Sequence, residues 1–253
     1  MKREYKLSSI VIIQFISIIV AFITSNLFTY ISKDSEIIGI ISGLVISIIT
    51  FFFQFSIASG LIRNRMGSVG EYLNQVNLIN GRIILINFLL SLLVSLATGL
   101  MGLVSGGIFL SSMMVDFNSK IIGSFLILGV FIIISMIFAI LISYCNYYCA
   151  DKLVGPGKKE GLFESIKNIF SLGSKLFGKT ILVYLKYVIG PVLILGTLMT
   201  LALIFNKDTG LGGILLISLI VMLMAIYSIF ASAIVMARLS DNYLDYVEAK
   251  ENL

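Results

Sequence analysis

The sequence predicts an all-α, polytopic membrane protein with six transmembrane helices in three hairpins and two cytoplasmic, interfacial amphipathic helices. Three observations predict this fold: a scarcity of charge, six long windows almost free of charge, and an uneven distribution of Lys and Arg between connections. Of the 253 residues, 58% are hydrophobic and 12% are charged, against about 25% charged in a typical soluble domain. So little charge cannot cover a water-soluble surface of this size, so we expect much of the surface to face lipid.

Each of the six windows exceeds the roughly 20 residues that an α-helix needs to cross a hydrocarbon core of about 30 Å. The windows are too long for strands and lack the alternation of a transmembrane barrel. The first is also longer than the apolar stretch of about 7–15 residues in a signal peptide, so it is predicted to be an uncleaved span. The predicted spans of this single membrane domain, residues 1–253, are residues 8–32, 37–62, 83–114, 121–149, 180–206 and 211–237.

The positive charges concentrate in alternate connections. Fourteen of the eighteen Lys and Arg residues lie in the N-terminal segment, the second and fourth connections and the C-terminal tail, whereas the remaining connections hold three. By the positive-inside rule, both termini are predicted to be cytoplasmic, in a cytoplasmic membrane. This topology and the anionic lipids of the inner leaflet account for the net charge of +5, so no nucleic-acid partner is predicted.

Two cytoplasmic connections have the pattern of amphipathic helices. Residues 161–177 place apolar side chains at spacings of three and four, with polar and basic residues opposite. Residues 68–80 begin with an S-x-x-E capping box formed by Ser68 and Glu71. Both segments are predicted to lie in the inner interface, where four cations are candidates for contact with lipid headgroups: Lys167, Lys175, Lys179 and Arg82.

Small residues and a proline predict how the spans pack and bend. Gly39 and Gly43 lie one turn apart in the second span, and Gly102 and Gly106 form a GxxxG pattern in the third. Such residues allow helix backbones to approach closely in lipid, so these four are predicted helix-packing positions. Pro191 lacks an amide hydrogen and crowds the preceding turn, which predicts a kink in the fifth span.

The sequence lacks the residue combinations that metal-dependent, acid–base and nucleotide-dependent membrane enzymes use for catalysis. It contains no His, no pair of acids inside a span and no GxxxxGK[ST] phosphate-binding loop. Cys145 and Cys149 would share a helix face, but no third thiolate or His can complete a tetrahedral metal site. The chain is therefore predicted to be non-enzymatic, with no catalytic residue, metal or cofactor.

Four polar side chains inside the predicted spans are candidates for a polar pathway: Gln14, Gln54, Asn87 and Lys186. The amides are suited either to hydrogen bonds between helices or to lining a polar pathway. Lys186 lies about 10 Å along a helix from Lys179 and can reach the inner interface with its long side chain. Spacing alone leaves both interpretations open for all four residues.

Two segments resemble a known group of proteins. LFESIKNIFSLGSKLFGK before the fifth span and SAIVMARLSDNYLDY at the end of the last are similar to an uncharacterised family of six-span prokaryotic integral membrane proteins. Some members of that family are labelled as a glycerophosphodiester-phosphodiesterase membrane domain. The resemblance implies the same fold and no established activity, because the catalytic part of the labelled members is a separate soluble domain.

The sequence therefore predicts a non-catalytic membrane subunit or scaffold that interacts with lipid or with another membrane protein. The alternative is a transporter subunit, either a small carrier or the six-span permease of an exporter driven by a cytosolic ATPase. A carrier requires a polar cavity that reaches mid-membrane and is lined by Gln14, Gln54, Asn87 or Lys186, whereas a scaffold would be packed dry there.

Overall fold

A computed structural model describes residues 3–31, 36–96, 117–154, 160–205 and 211–252. Every regular element within these ranges is helical. The α-helices are α1 (Leu7–Ile31), α2 (Glu36–Arg63), α3 (Val69–Leu73), α4 (Gly81–Leu96), α5 (Phe117–Ile142), α6 (Cys145–Tyr148), α7 (Leu162–Lys175), α8 (Phe177–Tyr184), α9 (Gly190–Phe205) and α10 (Leu211–Glu251). A 3₁₀ helix follows α3 at Asn74–Leu78, and π turns cover Cys149–Leu153 and Leu185–Ile189.

Five helical segments in the described ranges are long and apolar enough to cross a membrane. At most 17% of the residues in their most apolar windows are buried inside the protein, so most of their side chains face outward. Apolar helices with outward-facing side chains indicate a membrane protein. The segments are Leu7–Ile31, Ile38–Arg63, Gly129–Leu153, Phe177–Leu201 and Ile217–Glu251. The predicted third span, 83–114, is described only as far as Leu96, and the rest of it lies outside the described residues.

The last helix is longer than its predicted span. The sequence predicts a span that ends at residue 237, whereas α10 continues without a break to Glu251. Residues 238–251 contain no Gly or Pro to end the helix. Acidic side chains in this extension also bind cations from the start of the chain and from the connection after α2, as described below.

The fifth span departs from regular α-helix where the proline predicts a kink. A π turn at Leu185–Ile189 comes immediately before Gly190 and Pro191. Pro191 has no amide hydrogen to donate, and a π turn is a common way to accommodate a missing helix hydrogen bond. The helix resumes as α9, and Phe177–Leu201 remains a single candidate span.

The contacts within the chain define two compact units. The first unit contains Met1–Leu78 and Gly178–Leu253, and the second contains Ile79–Phe177. The core of the first unit lies at one end of its helices, where α1 begins, α2 ends and α10 carries its polar extension. Its fully buried side chains include Ile10, Ile13, Phe55, Leu61, Tyr72 and Tyr243, whereas Phe22, Tyr30 and Ile40 farther along the spans are exposed.

The connection after α2 is held by the predicted capping box. Ser68 is the N-cap of α3, its side chain accepts a hydrogen bond from the Glu71 amide, and the Glu71 carboxylate accepts one from the Ser68 amide. The ring of Tyr72 then lies directly against Gly60, where any Cβ would overlap it. Ser56 Oγ donates a hydrogen bond to the Tyr72 carbonyl oxygen at 2.5 Å. These contacts fix the short α3 against the end of α2.

In the second unit, α7 packs against α5 through a narrow face. Ser165, Ile169, Leu172 and Gly173 of α7 are buried, and Gly173 lies against the backbone of Leu141. Phe163 is 84% exposed on another side of the helix. The apolar residues of α7 therefore divide between protein packing and an outer surface, whereas the sequence pattern assigned Ile169 and Phe163 to one lipid-facing side.

Candidate functional site: a polar cleft in the first unit

An ionic cluster lies at the end of the first unit where its core is buried. It consists of Arg3, Arg65, Arg238, Asp241, Asp245 and Glu248. Arg65 Nη2 lies 2.5 Å from Asp241 Oδ1, and each side chain is only 14% exposed. Arg238 Nη1 binds the other carboxylate oxygen of Asp241 at 3.1 Å. The Asp241 carboxylate is thus bound by two guanidinium groups, which compensates for its removal from water.

Arg65 connects three separate parts of the unit. Its Nη1 donates to Ser240 Oγ at 3.0 Å and its Nε donates to the Glu4 carbonyl oxygen at 3.2 Å. The Arg65 carbonyl oxygen accepts from the Tyr72 hydroxyl at 2.9 Å and from the Lys6 amide at 3.0 Å. One residue in an irregular connection therefore joins the N-terminal segment, α3 and α10.

Arg3 binds the extension of α10. Its guanidinium nitrogens lie 2.5 Å from Asp245 Oδ1 and 2.5 Å from Glu248 Oε2. Burial by itself lowers the pKa of Arg3, but the hydrogen bonds and charges of Glu248 and Asp245 outweigh it, so the pKa is raised. Residue 3 and residues 245–248 consequently lie at the same end of the helices.

A polar cleft lies farther along the same three long helices. We call it the Gln14 cleft, and its volume is about 270 Å³. Polar side chains of α1, α2 and α10 line it together with aliphatic, aromatic and thioether groups. The lining residues are Gln14, Ser17, Ile18, Thr50, Phe53, Gln54, Ile57, Ser228, Ile229, Ser232 and Met236.

The Gln14 amide is the central polar group of the cleft. Its Nε2 donates to Ser232 Oγ at 3.0 Å and to Met236 Sδ at 3.5 Å. Its Oε1 is buried and has no hydrogen-bond partner among the described residues. Buried side-chain polar atoms normally have a hydrogen-bond partner, so Gln14 Oε1 is an acceptor that remains unsatisfied in the cleft.

The cleft lies at depth along the spans. Gln14 comes seven residues after the start of α1, and Ser232 comes nine residues before Asp241. With a rise of about 1.5 Å per residue, these positions lie roughly 10–14 Å from the ends marked by the ionic cluster. Ser228 and Thr50 extend the cleft to roughly 20 Å. A distance of roughly 20 Å along the helices is more than half of a hydrocarbon core of about 30 Å.

Of the four polar residues predicted inside spans, the structure brings only Gln14 and Gln54 together in the cleft. Asn87 belongs to the second unit, where its Nδ2 donates to the Ile83 carbonyl oxygen at 3.1 Å and its Oδ1 accepts from the thiol of Cys145 at 3.6 Å. Lys186 is exposed, with Nζ 5.3 Å from the centroid of the Tyr187 ring. Asn87 therefore makes contacts within its own unit, and Lys186 does not line the cleft.

The predicted lipid-contacting cations differ in their surroundings. Lys167, Lys175 and Lys179 are exposed. Arg82 is half-buried and donates to the backbone carbonyl oxygen of Glu160. The Glu160 carboxylate in turn accepts a hydrogen bond from the Tyr148 hydroxyl, which also accepts from Asn168 Nδ2 at 3.0 Å. In the structure Arg82 therefore makes an internal polar contact within the second unit.

The predicted helix-packing glycines show open surroundings where they are described. A Cβ added at Gly39 or Gly43 would meet no other atom of the described chain within 4 Å. Gly102 and Gly106 lie outside the described residues. The closest helix-to-helix approach at a described glycine occurs at Gly173, which the sequence pattern did not single out.

Cys145 and Cys149 are buried free thiols in the second unit. Within the ranges that the structure describes, no three His, Cys, Asp or Glu side chains converge as ligands for a metal ion. The two thiols therefore have no described third ligand of these types.

Sequence reasoning missed the hydroxyl residues of the cleft and the partners of Arg65. Ser17, Thr50, Ser228 and Ser232 are common residue types in apolar helices, and their role depends on which helices meet. A usable signal was present in Ser228 and Ser232, because residues four apart on a helix share a face. Asp241, Asp245 and Glu248 also recur at helical spacing after the last apolar window.

No protein-family model matches this chain, and neither a curated protein nor a solved structure is detectably similar to it. The geometry of the cleft and of the ionic cluster is therefore the basis on which a function is assigned.

Proposed function

We propose that this chain is a non-catalytic, multi-pass subunit of a transporter in the cytoplasmic membrane and that it binds a small polar solute in the Gln14 cleft. The single observation that carries this proposal is the buried, unpartnered Gln14 Oε1 in a cleft lined by five further polar side chains. A polar cleft with an unpartnered acceptor supports a carrier over a scaffold that is packed dry.

The energetics of lipid explain why the cleft favours a polar occupant. Acyl chains cannot donate hydrogen bonds, so a polar group exposed to them loses its partners at a cost of several kcal/mol. Water or a polar solute can satisfy Gln14 Oε1, whereas an acyl chain cannot. The hydroxyl groups of Ser17, Thr50, Ser228 and Ser232 extend the same environment toward mid-membrane.

The proposed topology has six spans, with residues 83–114 as the third, and both termini in the cytosol. The ion pairs of Arg3 with Asp245 and Glu248 support the placement of both terminal segments on one side. The excess of Lys and Arg in the corresponding connections supports the cytosolic side. On α7 the exposed side chains of Phe163, Lys167 and Lys175 support contact with an anionic inner leaflet.

Side-specific labelling tests this topology. In a chain with Cys145→Ala and Cys149→Ala, an added Ser171→Cys on the exposed side of α7 is expected to react with an impermeant thiol reagent in inside-out vesicles and not in intact cells. A fluorescent-protein fusion at the C-terminus is expected to fluoresce, and an alkaline-phosphatase fusion there is expected to be inactive. Labelling of residue 171 from outside intact cells would show the topology to be wrong.

Water access to the cleft tests the proposed function. In the same background, Ser17→Cys and Ser228→Cys are expected to react with a charged, water-soluble methanethiosulfonate in membranes permeable to the reagent. The reason is that a cleft that binds a polar solute must be open to water. The measurement is the rate of modification, followed by a mass shift of the purified chain.

The matched control is Ser47→Cys, which lies on α2 outside the cleft. Ser47 is exposed and its hydroxyl donates to its own helix, to the Gly43 carbonyl oxygen at 2.8 Å, so a thiol there is expected to face lipid and stay unmodified. If Ser17→Cys and Ser228→Cys stay unmodified in membranes yet react after denaturation, the cleft is dry and the transporter proposal fails.

A non-catalytic scaffold is the second candidate. The observation that favours it is the ionic cluster, which uses the charges of the N-terminal segment and of α10 for internal cohesion. A scaffold would cover the cleft with a polar helix of another membrane protein. Exclusion of water-soluble reagents from positions 17 and 228 is the result that this candidate requires.

A further inference from the structure

Several polar groups of the Gln14 cleft can act toward an occupant only as hydrogen-bond acceptors. Thr50 Oγ1 donates to the Ile46 carbonyl oxygen at 2.8 Å, and Ser228 Oγ donates to the Ala225 carbonyl oxygen at 2.7 Å. A hydroxyl whose hydrogen is bound to its own helix presents only lone pairs to the cleft. Gln14 adds the unpartnered Oε1.

The orientation of the Gln14 amide follows from its neighbours. Met236 Sδ can accept a hydrogen bond but cannot donate one, so the amide group that faces it must be the nitrogen. Ser232 Oγ can accept the second hydrogen of the same nitrogen. The carbonyl oxygen is therefore the group left for an occupant of the cleft.

The lining also lacks a formal charge. None of the residues that line the cleft in the described part of the chain is Asp, Glu, Lys or Arg. An ion at this depth is costly without an opposite charge beside it, and the carboxylates of the ionic cluster are already bound to arginines. An uncharged donor avoids this cost.

The volume of the cleft suits a small occupant. A volume of about 270 Å³ corresponds to roughly nine water molecules at about 30 Å³ each. Such a space holds a molecule of a few carbon atoms. Phe53, Ile57 and Ile229 supply apolar surface for its carbon skeleton.

We infer that the Gln14 cleft selects small, uncharged solutes that donate several hydrogen bonds, of the class of short polyols and simple amides. This inference rests on the proposed function, because it names the class of solute for the same cleft. Gln14 Oε1 is the selecting acceptor, and Thr50 and Ser228 supply the secondary acceptors.

Protection from thiol modification tests the class of solute with the full chain in native membranes. The reporter is Ser17→Cys in the chain with Cys145→Ala and Cys149→Ala, since this position leaves Gln14, Thr50 and Ser228 in place. Erythritol, glycerol and urea are added separately, and sodium chloride and choline chloride serve as ionic solutes at equal osmolarity. We expect at least one neutral solute to slow modification severalfold and the salts to leave the rate unchanged.

Gln14→Met is the matched variant, because it keeps the length of the side chain and removes the acceptor. In this variant the concentration of neutral solute that gives half-protection is expected to rise about tenfold, as for the loss of one hydrogen bond. Ser171→Cys on α7 is the control for general effects of solute on the reagent, and its modification rate is expected to stay constant.

The outcomes separate the inference from the proposed function. If the thiol at position 17 reacts but no neutral solute protects it, or only the salts do, the inferred class of solute is wrong. The proposed function, which requires only a water-filled cleft, is then still supported. Protection that is the same with Gln14→Met as with Gln14 also overturns the inference. If position 17 does not react in membranes at all, the proposed function itself fails.

Discussion

Replacement of Gly173 by alanine is expected to separate α7 from α5. A Cβ at residue 173 would lie 2.6 Å from the carbonyl carbon of Leu141 and 2.7 Å from its Cα. These atoms belong to the backbone of a helix and cannot move aside as a flexible side chain could. Because overpacking of a fitted contact commonly costs about 1–3 kcal/mol or more, we expect a loss at or above the upper end of this range.

Thermal unfolding in detergent and the rate of tryptic cleavage after Lys167 and Lys175 would measure this effect. Gly178→Ala is the matched control, since a Cβ at Gly178 meets no described atom within 4 Å. Alanine stabilises a helix relative to glycine by about 1 kcal/mol, so the control is expected to be neutral or slightly stabilising. Equal stability of the two variants would contradict the close contact of α7 with Leu141.

Replacement of Arg65 by methionine is expected to weaken the attachment of the connection after α2 to α10. Removal of one member of a buried ion pair typically costs about 3–5 kcal/mol, because the remaining charge is left unpaired. Arg238 still binds Asp241 at 3.1 Å, so we expect a loss near the lower end of that range. The lost hydrogen bonds to Ser240 Oγ and to the Glu4 carbonyl oxygen add to the effect.

A double-mutant cycle isolates the contribution of the ion pair. Arg65→Met, Asp241→Asn and the combined variant are compared by thermal unfolding in detergent, with Lys250→Met in the exposed end of α10 as the control. The double variant is expected to lose less stability than the two single variants together, because Arg65 and Asp241 no longer leave each other unpaired in it. If the loss of stability in the double variant equals the sum of the losses in the two single variants, Arg65 and Asp241 act independently.

These contacts give α10 a double role within the first unit. The same uninterrupted helix carries Ser228, Ser232 and Met236 of the cleft and Asp241, Asp245 and Glu248 of the ionic cluster. The carboxylates of the ionic cluster and the α10 side of the cleft therefore belong to one continuous helix.

Part of the candidate site was predictable from the sequence. Gln14 and Gln54 stand out as polar residues in apolar windows, and the structure places both in one cleft. Asn87 and Lys186 stand out equally in the sequence but lie elsewhere, because position in a window says nothing about which helix faces which. The helices α1, α2 and α10 converge in the structure, and their convergence brings four hydroxyl residues into the site: Ser17, Thr50, Ser228 and Ser232.

The sequence by itself determined that the chain is helical, that several helices are apolar enough for a membrane, and that Ser68 caps a helix with Glu71. These properties are local, since they depend on composition over about 20 residues and on spacings within one helical turn. Only the tertiary structure decided that Arg65 binds Asp241, that Gly173 admits the Leu141 backbone, and that Gln14 meets Ser232. Those contacts join residues far apart in the chain, and their geometry follows from how whole helices pack.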